Sequence, residues 1–216
     1  MPYQTAIFDL DGTLLDTLED LYLAVNHALT RHAFPLRTRD EVRAFVGNGV
    51  EQLIRRAVPE GTDESATLAT LADFKATYAA ICEEHTAPYD GIPDLLRALR
   101  DRGIRIAVVS NKFDEAVKQL CTRYFGDLVE VAVGERPGVQ KKPAPDTVFE
   151  AMRLLNVTAE GAVYIGDSDV DIETAKNCEM PCLSVTWGFR DAHFLTTHGA
   201  TILAHTPADL LQLLTE

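Results

Sequence analysis

Apolar positions follow two alternating rhythms along most of the chain. The runs Thr5–Leu10 (TAIFDL), Ile104–Ser110 (IRIAVVS), Val129–Gly134 (VEVAVG), Ala162–Asp167 (AVYIGD) and Pro181–Trp187 (PCLSVTW) are short, rich in Val and Ile, and lack the in-and-out alternation of a half-exposed strand. Strands of a parallel sheet, buried on both faces, read in this way. Between them, Ile92–Gly103, Asp114–Phe125, Pro145–Asn156 and Asp169–Cys178 carry a helical period, and several close on Gly or Asn where a helix cap would sit. Strand and helix in alternation predict an α/β fold, a doubly wound parallel sheet of Rossmann-like type.

The alternation fails once. From about Thr17 to Ala87 there is helical periodicity and no strand candidate, which predicts an all-helical insert. The chain is then expected to consist of a discontinuous α/β core, residues 1–16 and 88–216, and a helical domain, residues 17–87. Asp16 with Glu19 three residues on reads as a capping box opening the first helix, and Thr38 with Glu41 repeats the device. The APYDGIP turn around Pro88 marks the return to the core.

Length and composition fit this division. A chain of 216 residues suits one main core plus an insertion, and 46% hydrophobic with 25% charged residues is ordinary for a globular protein. The net charge of −13 and the lack of any basic run argue against a nucleic-acid or anionic-membrane partner. No apolar stretch approaches the ~20 residues of a membrane span, and no secretory signal opens the sequence, so a cytoplasmic location is expected. Cys82, Cys121, Cys178 and Cys182 have no zinc-site spacing and are expected as free thiols that fill space. Nothing in the sequence fixes an oligomeric state.

In open α/β sheets, ligands bind beyond the carboxyl ends of the strands. Those ends carry Asp9-Leu10-Asp11-Gly12-Thr13, Ser110-Asn111 and Gly166-Asp167-Ser168-Asp169-Val170-Asp171, with Lys142 in the loop KKPAPD. Singly, each has a plain structural reading: paired Asp residues as turn formers, Ser110-Asn111 and Asp169 as caps of the helices that follow, Lys142 as a solvated side chain. Together they point to chemistry. Asp9, Asp11, Asp167 and Asp171 would repel one another unless a hard divalent cation sat among their oxygens, and Mg²⁺ suits such a donor set. Lys142, Ser110 and the backbone amide of Asn111 are donors for a tetrahedral anion such as phosphate. Cation and donors together would overcome the repulsion between an acidic protein and an anionic substrate.

DLDGT, the strand-end Ser110, Lys142 in KKPAP and GDSDVD occur in the order of the four motifs of haloacid dehalogenase superfamily phosphatases, and the chain resembles those with a helical cap inserted after the first motif. The resemblance covers nearly the whole chain. It implies that Asp9 attacks phosphorus to form an aspartyl-phosphate, and that Asp11 protonates the leaving alcohol and then activates water. It further implies Mg²⁺ held by the Asp9 side chain, the Asp11 backbone carbonyl and Asp167, with Asp171 in support. Phosphate would be bound by Ser110, Asn111 and Lys142, the Lys-Pro pair favouring Lys142 over Lys141.

The implied substrate is a small phosphate monoester. Residues 47–56, GNGVEQLIRR, are worded like bacterial phosphoglycolate phosphatases, which makes phosphoglycolate the leading candidate. That segment is either a substrate-selecting loop, with Asn48 and Arg55 or Arg56 meeting a carboxylate, or a plain helix junction. VTWGF, residues 185–189, lines the pocket or packs in the core, and the junctions near Asp16 and Pro88 are expected hinges. A pyrophosphatase or a sugar phosphomutase would share the acids and the metal. Asp11 argues against a dehalogenase or a phosphonate hydrolase, and a non-catalytic binding module would be expected to have lost one of these groups.

Overall fold

The computed structural model describes residues 3–216. The chain runs through β1 (Thr5–Phe8), β2 (Leu15–Asp16), α1 (Leu18–Arg31), α2 (Arg39–Phe45), α3 (Val50–Ala57), α4 (Glu64–Ile81) and β3 (Ala87–Pro88). It then alternates through α5 (Ile92–Asp101), β4 (Arg105–Phe113), α6 (Asp114–Phe125), β5 (Val131–Glu135), α7 (Asp146–Leu155), β6 (Ala162–Gly166) and α8 (Asp169–Asn177). Last come β7 (Cys182–Val185), α9 (Ala192–Thr197), β8 (Leu203–Ala204) and α10 (Pro207–Thr215). Two compact units result, Asp16–Ala87 and the remainder of the chain.

In the larger unit six strands form one sheet in the order β5-β4-β1-β6-β7-β8, with every pairing parallel. The chain adds β4 and β5 on one side of β1 and then β6, β7 and β8 on the other. The strand order therefore reverses at β1, and the carboxyl ends of β4, β1 and β6 flank the crevice where such sheets bind ligands. Alternate strand residues serve opposite faces. Ala6, Phe8, Ile106, Val108, Val163 and Ile165 pack with α5, α6 and α10, whereas Ile7, Ala107, Val109 and Tyr164 pack with α7 and α8. Apolar side chains are needed on both faces, which explains the unbroken hydrophobic runs. The doubly wound fold is as the sequence predicts, extended by β8, α9 and α10.

The smaller unit is built on helices. Leu21, Val25, Ala28 and Leu29 of α1 and Leu71, Phe74 and Tyr78 of α4 are buried, with the Phe74 and Tyr78 rings stacked at 5.5 Å. The capping box at Thr38 is present: Glu41 N donates to Thr38 Oγ1 at 3.2 Å, and Thr38 N donates to Glu41 Oε2 at 2.7 Å. The box expected at Asp16 and Glu19 is not. Asp16 is still in β2, so α1 starts one residue later with Thr17 at its N-cap position. The Asp16 carboxylate instead accepts from Leu18 N at 3.1 Å, and Glu19 pairs with Arg39 at 3.0 Å.

The next acid, Asp20, is fully buried. It accepts from His85 N at 3.0 Å, Thr86 N at 2.9 Å and Thr86 Oγ1 at 2.8 Å, and it faces His85 Nδ1 at 2.9 Å. The start and the finish of this unit are thereby tied within the unit itself. Cys82, Cys121, Cys178 and Cys182 are free thiols, as expected. Among the described residues no helix is long and apolar enough to cross a membrane.

Candidate active site

β1 and β6 are neighbours, with Phe8 level with Ile165, so the residues just past their ends, Asp9 and Asp167, emerge side by side. Asp9 N donates to Ile165 O at 2.8 Å, which fixes its start. Lys142, from the loop between β5 and α7, places Nζ 2.8 Å from Asp9 Oδ1 and 2.9 Å from Asp171 Oδ1. It also donates to the Tyr164 hydroxyl at 2.9 Å. All of these side chains are buried. Lys141 is partly exposed and lies 3.6 Å from Glu135, so the two adjacent lysines have separate surroundings.

Asp9, Asp167 and Asp171 each offer a carboxylate oxygen within 4.8 Å of the others. Burial pushes the Asp9 carboxyl well above the usual range, Asp171 and Asp167 add to this, and Lys142 opposes it. Asp167 is pushed up to about 7, by burial first and Asp171 second, against the hydrogen bonds from Phe189 N and Thr13. Burial favours neutral Lys142, but Asp171 and Asp9 outweigh it and hold the ammonium above its ordinary value. Crowded carboxyls that resist ionising together are the donor set a hard divalent cation relieves.

Not all three carboxylates are equally placed to serve it. Asp171 Oδ1 accepts from Lys142 Nζ at 2.9 Å and Tyr164 OH at 3.1 Å, and Oδ2 accepts from Ser168 N at 3.1 Å and Ser168 Oγ at 2.6 Å. Its lone pairs are committed, which leaves Asp9 and Asp167 as the carboxylates that fit a cation. Asp169 does not cap α8; Ser168 holds the N-cap position and Asp169 is the first helical residue.

Two glycines let backbone close on Asp167. Gly12 has φ +87°, and a Cβ there would stand 2.4 Å from Asp167 Oδ2. At Gly188 a Cβ would meet Gly12 O at 2.2 Å and Asp167 Oδ2 at 2.4 Å. The following residue, Phe189, donates its N–H to Asp167 Oδ2 at 2.6 Å, and Thr13 Oγ1 donates to Oδ1 at 3.2 Å. Trp187 packs against the core and donates Nε1–H to Thr13 O at 3.0 Å. The VTWGF segment therefore both packs and braces the loop that follows β1.

Asp11 and Ser110 belong to an adjoining cluster. The expected strand end at Ser110-Asn111 is corrected: β4 continues to Phe113, with a shift in its register against β5 between Val109 and Phe113. The N-cap position of α6 is Phe113, so Ser110 and Asn111 do not cap that helix. Asn111 Nδ2 donates to Lys142 O at 2.9 Å and links the strand to the lysine loop. Asp11 Oδ1 lies 2.7 Å from Lys112 Nζ, and Ser110 Oγ donates to Asp11 Oδ2 at 3.4 Å.

A family model described as haloacid dehalogenase-like hydrolase matches residues 6–185. The chain belongs to this family. This haloacid dehalogenase-like hydrolase is 34% identical over 208 residues to a phosphoglycolate phosphatase of Pseudomonas putida, across 94% of the chain and 74% of the relative. A Lactobacillus delbrueckii subsp. bulgaricus crystal structure, of a protein named as a phosphoglycolate phosphatase, is 37% identical with a TM-score of 0.95, covering 100% of this chain and 99% of that one. CbbY from Rhodobacter sphaeroides, solved in complex with phosphate, is 27% identical with a TM-score of 0.77 over 96% of both chains.

Two further side-chain arrangements belong to this hydrolase. Lys112 is 5% exposed, although a lone lysine beside Ser110 and Asn111 reads as a surface residue. In the helical unit Arg55 is held by Glu51 at 2.9 Å and Glu64 at 2.6 Å, whereas Arg56 meets Asn48 Oδ1 at 2.8 Å and Phe45 O at 2.8 Å. Arg56 therefore shares its surroundings with Asn48, and Arg55 is tied to acids of the same unit.

Proposed function

We propose that this hydrolase is a cytoplasmic, Mg²⁺-dependent phosphatase that cleaves a small phosphate monoester through an aspartyl-phosphate, with phosphoglycolate the leading substrate. The observation that carries the reading is the Lys142 ammonium 2.8 Å from Asp9 at the carboxyl end of the central strand. An anion-attracting cation and an attacking carboxylate stand together there, with Asp167 beside them.

In the first half-reaction a carboxylate oxygen of Asp9 bonds to phosphorus as the bond to the alcohol oxygen breaks, and Asp11 gives that oxygen its proton. In the second, Asp11 takes a proton from water as the water attacks phosphorus, which frees Asp9 and inorganic phosphate. Ser110, the Asn111 amide and Lys142 hold the phosphoryl oxygens. Asp9, Asp167 and the Asp11 carbonyl would hold the cation, which would supply neutralisation of charge on the transferring group when bound. Asp171 and Tyr164 keep the lysine in place. The helical insert is read as the substrate-selecting cap.

The test is phosphate release from phosphoglycolate, sugar monophosphates, pyrophosphate and an aryl phosphate, with and without Mg²⁺. Phosphoglycolate should give the highest kcat/KM and need the metal. Conversion of a sugar monophosphate to its isomer without free phosphate would favour a mutase, and silence toward every ester would overturn the reading.

A further inference from the structure

We infer that Lys112 is a positioning residue for Asp11, holding its carboxyl where it exchanges a proton with the oxygen of the leaving alcohol; this rests on the phosphatase reading. Asp11 sits on a turn after β1, and the turn fixes its backbone but not its side chain. The anchor comes from the neighbouring strand. Lys112 Nζ is 2.7 Å from Asp11 Oδ1, with the lysine side chain 4% and the Asp11 side chain 13% exposed, so water screens the pair weakly. The same residue also steadies the second contact of Asp11. Lys112 N donates to Ser110 Oγ at 3.1 Å, and Ser110 Oγ in turn donates to Asp11 Oδ2 at 3.4 Å.

The backbone is shaped to deliver this lysine. β4 changes register against β5 beyond Val109, and Gly134 of β5 lies so close that a Cβ there would stand 2.7 Å from Lys112 O and 2.4 Å from Asp114 Cα. Fold stability does not account for the arrangement, because apolar residues of similar volume commonly replace a buried ion pair with little loss or even a gain. The purpose falls instead on Asp11. During cleavage the bond from phosphorus to the alcohol oxygen breaks, the bond to Asp9 forms, and the Asp11 proton passes to the departing oxygen. A carboxyl free to rotate would make that transfer only part of the time.

Leaving groups separate this from a merely structural role. An alkyl ester such as phosphoglycolate needs its departing oxygen protonated, whereas p-nitrophenolate leaves without a proton. kcat/KM reports only the steps up to that departure. Lys112→Met should lower kcat/KM for phosphoglycolate by roughly 30-fold or more, within the range for proton-transfer catalysis, and for p-nitrophenyl phosphate by no more than about 3-fold. Added to Asp11→Asn, it should cause no further loss. Equal losses on the two esters, or a further loss in the Asp11→Asn background, would overturn the inference. If Lys112→Met does not fold, Lys112→Gln reads the same ratio, and failure of both to fold assigns the lysine to stability and overturns it. Turnover of the esters by the parent enzyme tests the phosphatase reading separately.

Discussion

Lys142 Nζ is 2.8 Å from Asp9 Oδ1 and touches Asp171 with the same ammonium, so one buried cation serves two buried carboxylates. Lys142→Met should leave those acids and Asp167 facing one another. The expected cost is about 3–5 kcal/mol of stability, the usual result of removing one partner from a buried pair. Urea unfolding would measure it, and a divalent cation should narrow the deficit. A variant as stable as the parent would contradict the electrostatic account.

Asp9→Asn keeps the shape and an oxygen to accept from Lys142 but removes the attacking carboxylate. Turnover should fall by at least about a thousandfold, as expected when a nucleophile is lost, while the thermal unfolding midpoint stays close to that of the parent. Near-normal turnover in a purified, folded sample would remove Asp9 from its proposed role.

Asp167 gives a pH dependence with a definite sign. Its carboxyl is raised to about 7 in the folded chain, against about 3.9 for an unperturbed Asp. Between those values the folded state keeps a proton that the unfolded state has lost. The contribution of Asp167 to metal-free stability is therefore full at low pH and is lost as pH rises toward about 7. A cation takes the ionised form, so the gain in melting temperature from Mg²⁺ should be greater at about pH 8 than at about pH 6. Melting curves with Mg²⁺ and with chelator at both pH values would check it; a gain that shrinks with rising pH is the contrary result.

At Gly188 an added methyl would stand 2.4 Å from Asp167 Oδ2 and 2.2 Å from Gly12 O. Gly188→Ala should displace Phe189 N from Asp167 and weaken metal affinity by about 10–100-fold, as for other groups that orient a ligand. Calorimetric titration with Mg²⁺ reads this directly. Unchanged affinity would mean that the loop after β7 does not govern the acid.

Asp20→Ala should strip three hydrogen-bond donors, His85 N, Thr86 N and Thr86 Oγ1, of a buried acceptor. A loss of about 3 kcal/mol or more is expected, since bonds to a charged group are among the stronger ones and the orphaned donors stay desolvated. Limited proteolysis should find new cleavage near His85, and resistance equal to the parent would count against it.

The sheet was legible because parallel strands buried on both faces leave dense apolar runs, as Ala6–Phe8 and Ala107–Val109 do. β8 was not, since Leu203–Ala204 is too short to show a period. At Asp16 the acid-to-acid spacing fits a capping box, but only three-dimensional pairing reveals that the chain is still extended there. Asp9, Asp167 and Lys142 could be grouped from their places in the topology, which brings loop ends together whatever the side chains do. Lys112 could not be. It lies where β4 shifts register against β5, on the far side of α6 in the chain, and no local pattern records that shift.

Asp20 has a consequence for how such chains diversify. By fastening its own entry helix to its own exit segment, the stretch from Asp16 to Ala87 behaves as a cassette whose two attachment points come ready joined. A host sheet would need to supply only a neighbouring pair of breaks to receive it.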